Sequence, residues 1–96
     1  MSAPTTASAS AAVTGTEVER IGELRSVIDT CDAEIIALVQ RRLAISREIG
    51  ALRSASGGTR LNLSREQQVL ARFEAALGAD GAALGMMLLR QGRGRL

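Results

Sequence analysis

Histidine, lysine, tryptophan and tyrosine are absent from this 96-residue chain, and cysteine, proline and phenylalanine occur once each. Without histidine, and with Cys31 as the single thiol, a zinc site, a Ser-His-Asp triad and a Cys-His nucleophile are all excluded. Without lysine there is no Schiff-base chemistry. One cysteine forms no internal disulfide, which suits a reducing compartment. The opening Met1-Ser2-Ala3-Pro4-Thr5-Thr6 has no basic stretch followed by an apolar run, so no signal peptide is expected. Nothing approaches the roughly eighteen consecutive apolar residues of a membrane span. The expectation is a cytoplasmic protein that binds no membrane and uses no metal or cofactor.

The 12 basic residues are therefore all arginine, set against 10 acidic ones for a net charge of +2. Apolar residues make up 46% of the chain, but Phe73 is the only aromatic among them. A core built this way in one small domain is weak, because small domains bury a low fraction of their surface. Self-association is expected from composition alone.

Residues 1–16 are mostly Ala, Ser and Thr without charge or periodicity, and read as a disordered leader; the domain proper is 17–96. From Glu17 to about Ser54, Ile21, Leu24, Ile28, Cys31, Ile35, Leu38, Ile45, Ile49 and Leu52 recur at alternating spacings of three and four, interrupted once. This is a heptad seam on one long helix. Acids near its start and Arg47 and Arg53 toward its end suit the helix dipole. Ser56-Gly57-Gly58-Thr59 ends it. Ser64 and Gln67 form a capping box for a second helix that buries Val69, Leu70, Phe73 and Leu77 and stops at Gly78. Asp80 caps a third helix carrying Leu84, Met87 and Leu88, ended by Gly92. No segment reads as a strand. The fold class is all-α, one long helix and two short ones.

A helix of about 38 residues is ~57 Å long, and the two short helices together reach only ~39 Å. They cannot cover the seam, so the chain is expected to form an intertwined homodimer.

The seam is interrupted at Arg42, an a position. A single polar residue there can fix register, or snorkel to the surface. Arg53 changes the weighing: eleven residues on, it lies ~20° from Arg42 in azimuth and ~16 Å along the axis, near enough for both side chains to converge on one small molecule. Arg25 is ~25 Å before Arg42 and rotated by ~100°, so it would reach the same ligand only from an antiparallel partner helix. Arg65 opens the second helix, where free N–H groups and the dipole also favour an anion. Guanidinium groups so gathered repel one another unless an anion lies between them, and their planar fork binds carboxylates bidentately. The pattern points to a small polyanion, a dicarboxylate. Cys31, Met86 and Met87 read as packing residues, and Arg41 and Arg47 as a solvated face.

The segments Leu24-Arg25-Ser26-Val27-Ile28-Asp29, Asp32, Leu38-Val39-Gln40-Arg41-Arg42, Ile49-Gly50-Ala51-Leu52-Arg53 and Ser64-Arg65-Glu66 resemble the all-helical chorismate mutases. The Ser56-Gly57-Gly58-Thr59-Arg60 loop and the ending Gly92-Arg93-Gly94-Arg95-Leu96 resemble the short actinobacterial type. The likeness covers residues 17–96. It implies conversion of chorismate to prephenate, a one-substrate pericyclic step that needs no nucleophile, metal or proton transfer. It also implies that Arg42 and Arg53 bind substrate within one protomer, that Arg25 enters from the other, and that Arg65 lines the pocket. Glu66 then accepts a hydrogen bond from the ring hydroxyl. Asn62 stands where some relatives carry Asp, and Arg53 where many carry Lys. Gln91 does not fit the position from which the third helix of longer relatives supplies a Gln to the ether oxygen. The Arg93, Arg95 and Leu96 ending resembles that of small mutases that dock on 3-deoxy-arabino-heptulosonate 7-phosphate synthase and are activated by it.

Three rival readings remain at the level of sequence. A nucleic-acid-binding helical dimer suits the pI near 9.9 and the Arg-Gly tail, but the net charge is small and stacking aromatics are missing. A coiled-coil adaptor accounts for the heptads and leaves Arg42 and Arg53 without purpose. An isochorismate-pyruvate lyase shares the fold of the mutases and uses a similar cationic pocket.

Overall fold

In a computed structural model, which describes residues 15–58 and 62–93, the chain forms three α-helices, and there is no strand among the described residues. They are α1 (Gly15–Ala55), α2 (Leu63–Leu77) and α3 (Ala79–Arg93). Residues 1–14 of the expected leader, together with Arg95 and Leu96, lie outside the described residues. No helix among the described residues is long and apolar enough to cross a membrane.

α1 has 41 residues and starts at Gly15, two positions before the first charge. No proline interrupts it, and Glu17 in its first turn and Arg53 in its last both complement its dipole. Its end is a Schellman motif. Gly57 takes φ +82°, its N–H donates to the Ser54 carbonyl at 3.1 Å, and the Gly58 N–H donates to the Arg53 carbonyl at 2.8 Å. The glycine signal in the sequence is realised at this turn.

The start of α2 differs from expectation. Asn62, not Ser64, is the N-cap: its Oδ1 accepts the Arg65 N–H at 3.0 Å, and Ser64 is already inside the helix. An Asx cap placed two residues earlier satisfies a first-turn donor and pre-empts the capping box. Gly78 ends α2 at φ +80° and also begins α3, since its carbonyl accepts the N–H groups of Gly81 and Ala82. Asp80 thus sits in the first turn of α3, where it complements the dipole without capping.

The chain divides into a unit spanning Met1–Ile35 and one spanning Ile36–Leu96. In the first, the described part of α1 buries nothing. Val18, Ile21, Leu24, Val27, Ile28 and Ile35 are all exposed, as is Cys31, a packing residue by expectation. An Arg20–Glu23 ion pair at 3.2 Å ties one exposed turn.

The second unit holds the core. α2 and α3 form an antiparallel pair around Val69 and Leu88, both buried, with Leu70, Phe73 and Met87 half-buried. Leu77, expected inside, is exposed. Glycines permit the close approach. A Cβ on Gly81 would overlap the Phe73 carbonyl oxygen, and one on Gly85 would stand 3.3 Å from Leu70 Cδ2. Gly92 does not stop α3, which runs on through Arg93. A Cβ on Gly92 would meet the Ser46 side chain at 3.0 Å, so this glycine lets the end of α3 lie against α1.

Candidate active site

A cavity of about 640 Å³ opens in the second unit, within the size range of small-molecule sites. All three helices contribute to its wall. α1 supplies Arg42, Ser46, Ile49, Gly50 and Arg53, whose spacings of four, three, one and three keep them on one side of a 3.6-residue helix, and adds Arg47 and Ala51 from outside that face. From α2 and its cap come Asn62, Arg65, Glu66 and Val69, and from α3 Leu89, Gly92 and Arg93, again at three- and four-residue steps.

The charge is lopsided. Among the described residues, five guanidinium groups, on Arg42, Arg47, Arg53, Arg65 and Arg93, share the lining with a single carboxylate, Glu66. Arg42, Arg53, Glu66 and Arg93 are half-buried, where salt screens their charges less than at the surface. Arg53 and Arg93 lie in the last turns of α1 and α3, whose negative dipole ends offset part of the repulsion. Arg65 lies at the positive end of α2, so dipole and side chain add to the pull on an anion. Ile49, Ala51, Val69 and Leu89 give the remainder of the wall an apolar lining.

Of the residues singled out from sequence, Arg42, Arg53, Asn62, Arg65 and Glu66 line this one cavity. Arg25 lies on the first unit, exposed on α1. Arg47, assigned to a solvated face, is a cavity residue although its side chain stays exposed. Arg93, assigned to the tail, is in the last turn of α3 and donates from Nη1 to Oε2 of Glu66. Both side chains of that pair are 19% exposed. Taking Gly92 for a helix stop concealed this. The available signal was the Leu89, Gly92, Arg93 spacing, which continues the face begun by Gly85 and Leu88.

Residues 24–86 match the model of the chorismate mutase type II family. The chain belongs to that family. Intracellular chorismate mutases of Mycolicibacterium smegmatis and of Mycobacterium tuberculosis are each 56% identical over 79 residues. Those 79 residues are 82% of this chain and 76% and 74% of the respective relatives. Among solved structures, a chain from the non-covalent complex of DAHP synthase and chorismate mutase of Corynebacterium glutamicum, with bound transition state analog, superposes with a TM-score of 0.79. It is 42% identical, and the match covers 84% of this chain and 98% of that one.

Proposed function

We propose that this chain is a chorismate mutase of aromatic amino-acid biosynthesis whose Arg-lined cavity rearranges chorismate to prephenate. The observation that carries the assignment to this cavity is its charge: among the described lining residues, five guanidinium groups accompany one carboxylate, in a cavity of small-molecule size.

The chemistry follows from what such a wall can do. The substrate is a flexible dianion that reacts when its enolpyruvyl carbon lies over the ring carbon it will join. Fixing both carboxylates on rigid helices removes the conformational freedom that makes the free reaction slow. Arg42 holds one carboxylate and Arg25 of the partner subunit the other. Glu66 accepts the ring hydroxyl, with Asn62 and Arg65 beside it. As the ether bond breaks, negative charge grows on its oxygen, and Arg53 is the donor that meets it. A preorganised cation in a partly dry site stabilises that charge without reorganisation. No group gains or loses a proton, so a site without histidine or lysine is sufficient.

The functional form is an intertwined homodimer. The seam residues Ile21, Leu24, Ile28, Ile35, Leu38, Ile45, Ile49 and Leu52 are 44–65% exposed in the single chain. Apolar exposure on that scale marks an association surface. Val18, Val27 and Ile36 lie off the seam and are also exposed, so α1 is apolar on more than one side, as a helix wrapped by a partner requires. The protein works in the cytoplasm. The tail that begins at Arg93 and carries Arg95 and Leu96 docks on a DAHP synthase, the partner named in the Corynebacterium glutamicum complex.

The test is loss of chorismate absorbance with identification of the product, for the wild type and for Arg53→Ala. Prephenate from the wild type and a collapse of turnover in the variant are expected. Release of pyruvate, or undiminished turnover in the variant, overturns the reading.

A further inference from the structure

We propose that Arg93 is a positioning residue, which acts through Glu66 by holding that carboxylate aimed at the substrate's ring hydroxyl. The inference rests on the cavity being the site of chorismate turnover.

Glu66 is the only carboxylate among the described residues that line the cavity, and Arg42, Arg47, Arg53 and Arg65 line the same space. Left to itself, it would swing toward whichever guanidinium came nearest. Each such pairing would occupy a cation needed for a substrate carboxylate and would turn the acceptor away from the hydroxyl. Arg93 prevents this from a different element. It reaches Glu66 from the last turn of α3, whereas Arg42 and Arg53 stand on α1. The pairing uses Oε2 of Glu66, so Oε1 remains as the acceptor for a hydroxyl. Both partners are 19% exposed, where a charge-assisted hydrogen bond persists against salt and water better than a surface pair does.

The backbone around Arg93 is fixed for this task. Gly92 packs against Ser46 of α1, with any Cβ confined to 3.0 Å, so the last turn of α3 is held at the cavity wall. At the other end, Asn62 caps the turn that carries Glu66, and the Glu66 N–H donates to the Asn62 carbonyl at 2.9 Å. Two rigid backbones thus present one flexible pair.

A double-mutant cycle on the full-length chain tests the assignment, with kcat and KM for chorismate measured separately and helix content and melting temperature followed in parallel. Arg93→Gln is expected to lower kcat/KM at least tenfold in the wild-type background. In the Glu66→Gln background, where no charge remains to be aimed, it is expected to change kcat/KM less than twofold. Arg93→Lys, which keeps the cation, should recover part of the loss, and only when Glu66 is present. It also serves as the second variant if Arg93→Gln does not fold. Equal losses in both backgrounds, or activity that falls only in step with helix content, overturn the positioning role while leaving the cavity assignment intact. A wild-type chain that leaves chorismate unchanged overturns the cavity assignment, and the positioning role with it.

Discussion

Gly81 of α3 sits directly against the backbone of Phe73 in α2. A Cβ built on it would overlap the Phe73 carbonyl oxygen and stand 2.8 Å from Leu77 Cβ. Backbone cannot step aside as a side-chain tip can, so alanine here forces the two helices apart. A helical glycine replaced by alanine gains about 1 kcal/mol in propensity, whereas overpacking costs about 1–3 kcal/mol. At Gly85 the nearest atom is the end of the Leu70 side chain, at 3.3 Å, which can rotate. Gly81→Ala is therefore expected to lower the melting temperature clearly, and Gly85→Ala to leave it nearly unchanged. Thermal unfolding followed by circular dichroism checks the ordering, and a Gly81→Ala chain as stable as Gly85→Ala contradicts the packing described.

Arg53 separates fold from chemistry. Its backbone carbonyl accepts the Gly58 N–H and the Ser56 Oγ hydrogen, and these bonds close α1 whatever side chain the residue carries. The side chain lines the cavity, half-buried. Arg53→Ala is expected to melt within a few degrees of the wild type while kcat falls by about 10²–10³-fold, the range seen when one donor to a developing oxyanion is removed. Arg53→Lys should retain much of the rate. Steady-state kinetics alongside a melting curve decides this, and a variant that keeps its kcat removes Arg53 from its assigned place at the ether oxygen.

Much of the cavity wall was legible because helical periodicity is rigid. Arg42 and Arg53 are eleven residues apart, close to three whole turns, so sequence alone put them on one side of α1, and Ser46 and Ile49 fall between them on the same face. What escaped depended on backbone details that two patterns describe equally well. Ser64 and Gln67 satisfy a capping box, yet Asn62 lies two residues earlier and takes the cap first. Gly92 looks like a helix end, but a glycine also allows close packing, and its contact with Ser46 keeps α3 helical through Arg93. Arg47 reads as part of a solvated face, and a long side chain that lines a cavity while staying exposed belongs to both surfaces. The pairing of Glu66 with Arg93 joins residues 27 apart on two helices, a relationship no local spacing encodes.

Asn62 combines a cap with a place on the cavity wall. Asn62→Ala removes the acceptor for the Arg65 N–H and is expected to cost about 1 kcal/mol of stability. Asn62→Asp keeps that acceptor and should preserve stability. It also adds a carboxylate to that of Glu66 in a cavity that must admit a dianion, so KM for chorismate should rise without loss of fold. Urea unfolding and steady-state kinetics on the same two variants give the answer, and equal stability of Asn62→Ala and wild type speaks against the cap.

Removal of Gly94, Arg95 and Leu96 tests the docking tail while keeping every described residue of the cavity lining. The truncated chain is expected to turn over chorismate at the rate of the isolated wild type and to lose acceleration by a DAHP synthase. Titrating the synthase into both proteins in the absorbance assay measures this. Equal acceleration of the two assigns docking to another surface.

A site completed by Arg25 of the partner subunit makes a quantitative prediction for mixtures. Arg25→Ala and Arg53→Ala homodimers should each be nearly inactive, since every site in them lacks one guanidinium. When the two variants are unfolded together in equal amounts and refolded, half the dimers are mixed by chance. In a mixed dimer, the Arg25→Ala chain keeps its own Arg53 and receives an intact Arg25 from its partner, so that site is whole. The other site lacks both. About a quarter of wild-type activity should return, and it should return only on mixing. If Arg25 instead served a site on its own chain, each mixed dimer would carry two defective sites and no activity would appear. Refolding each variant alone controls for recovery, and turnover per dimer measured against the ratio of the two chains should peak at equal amounts.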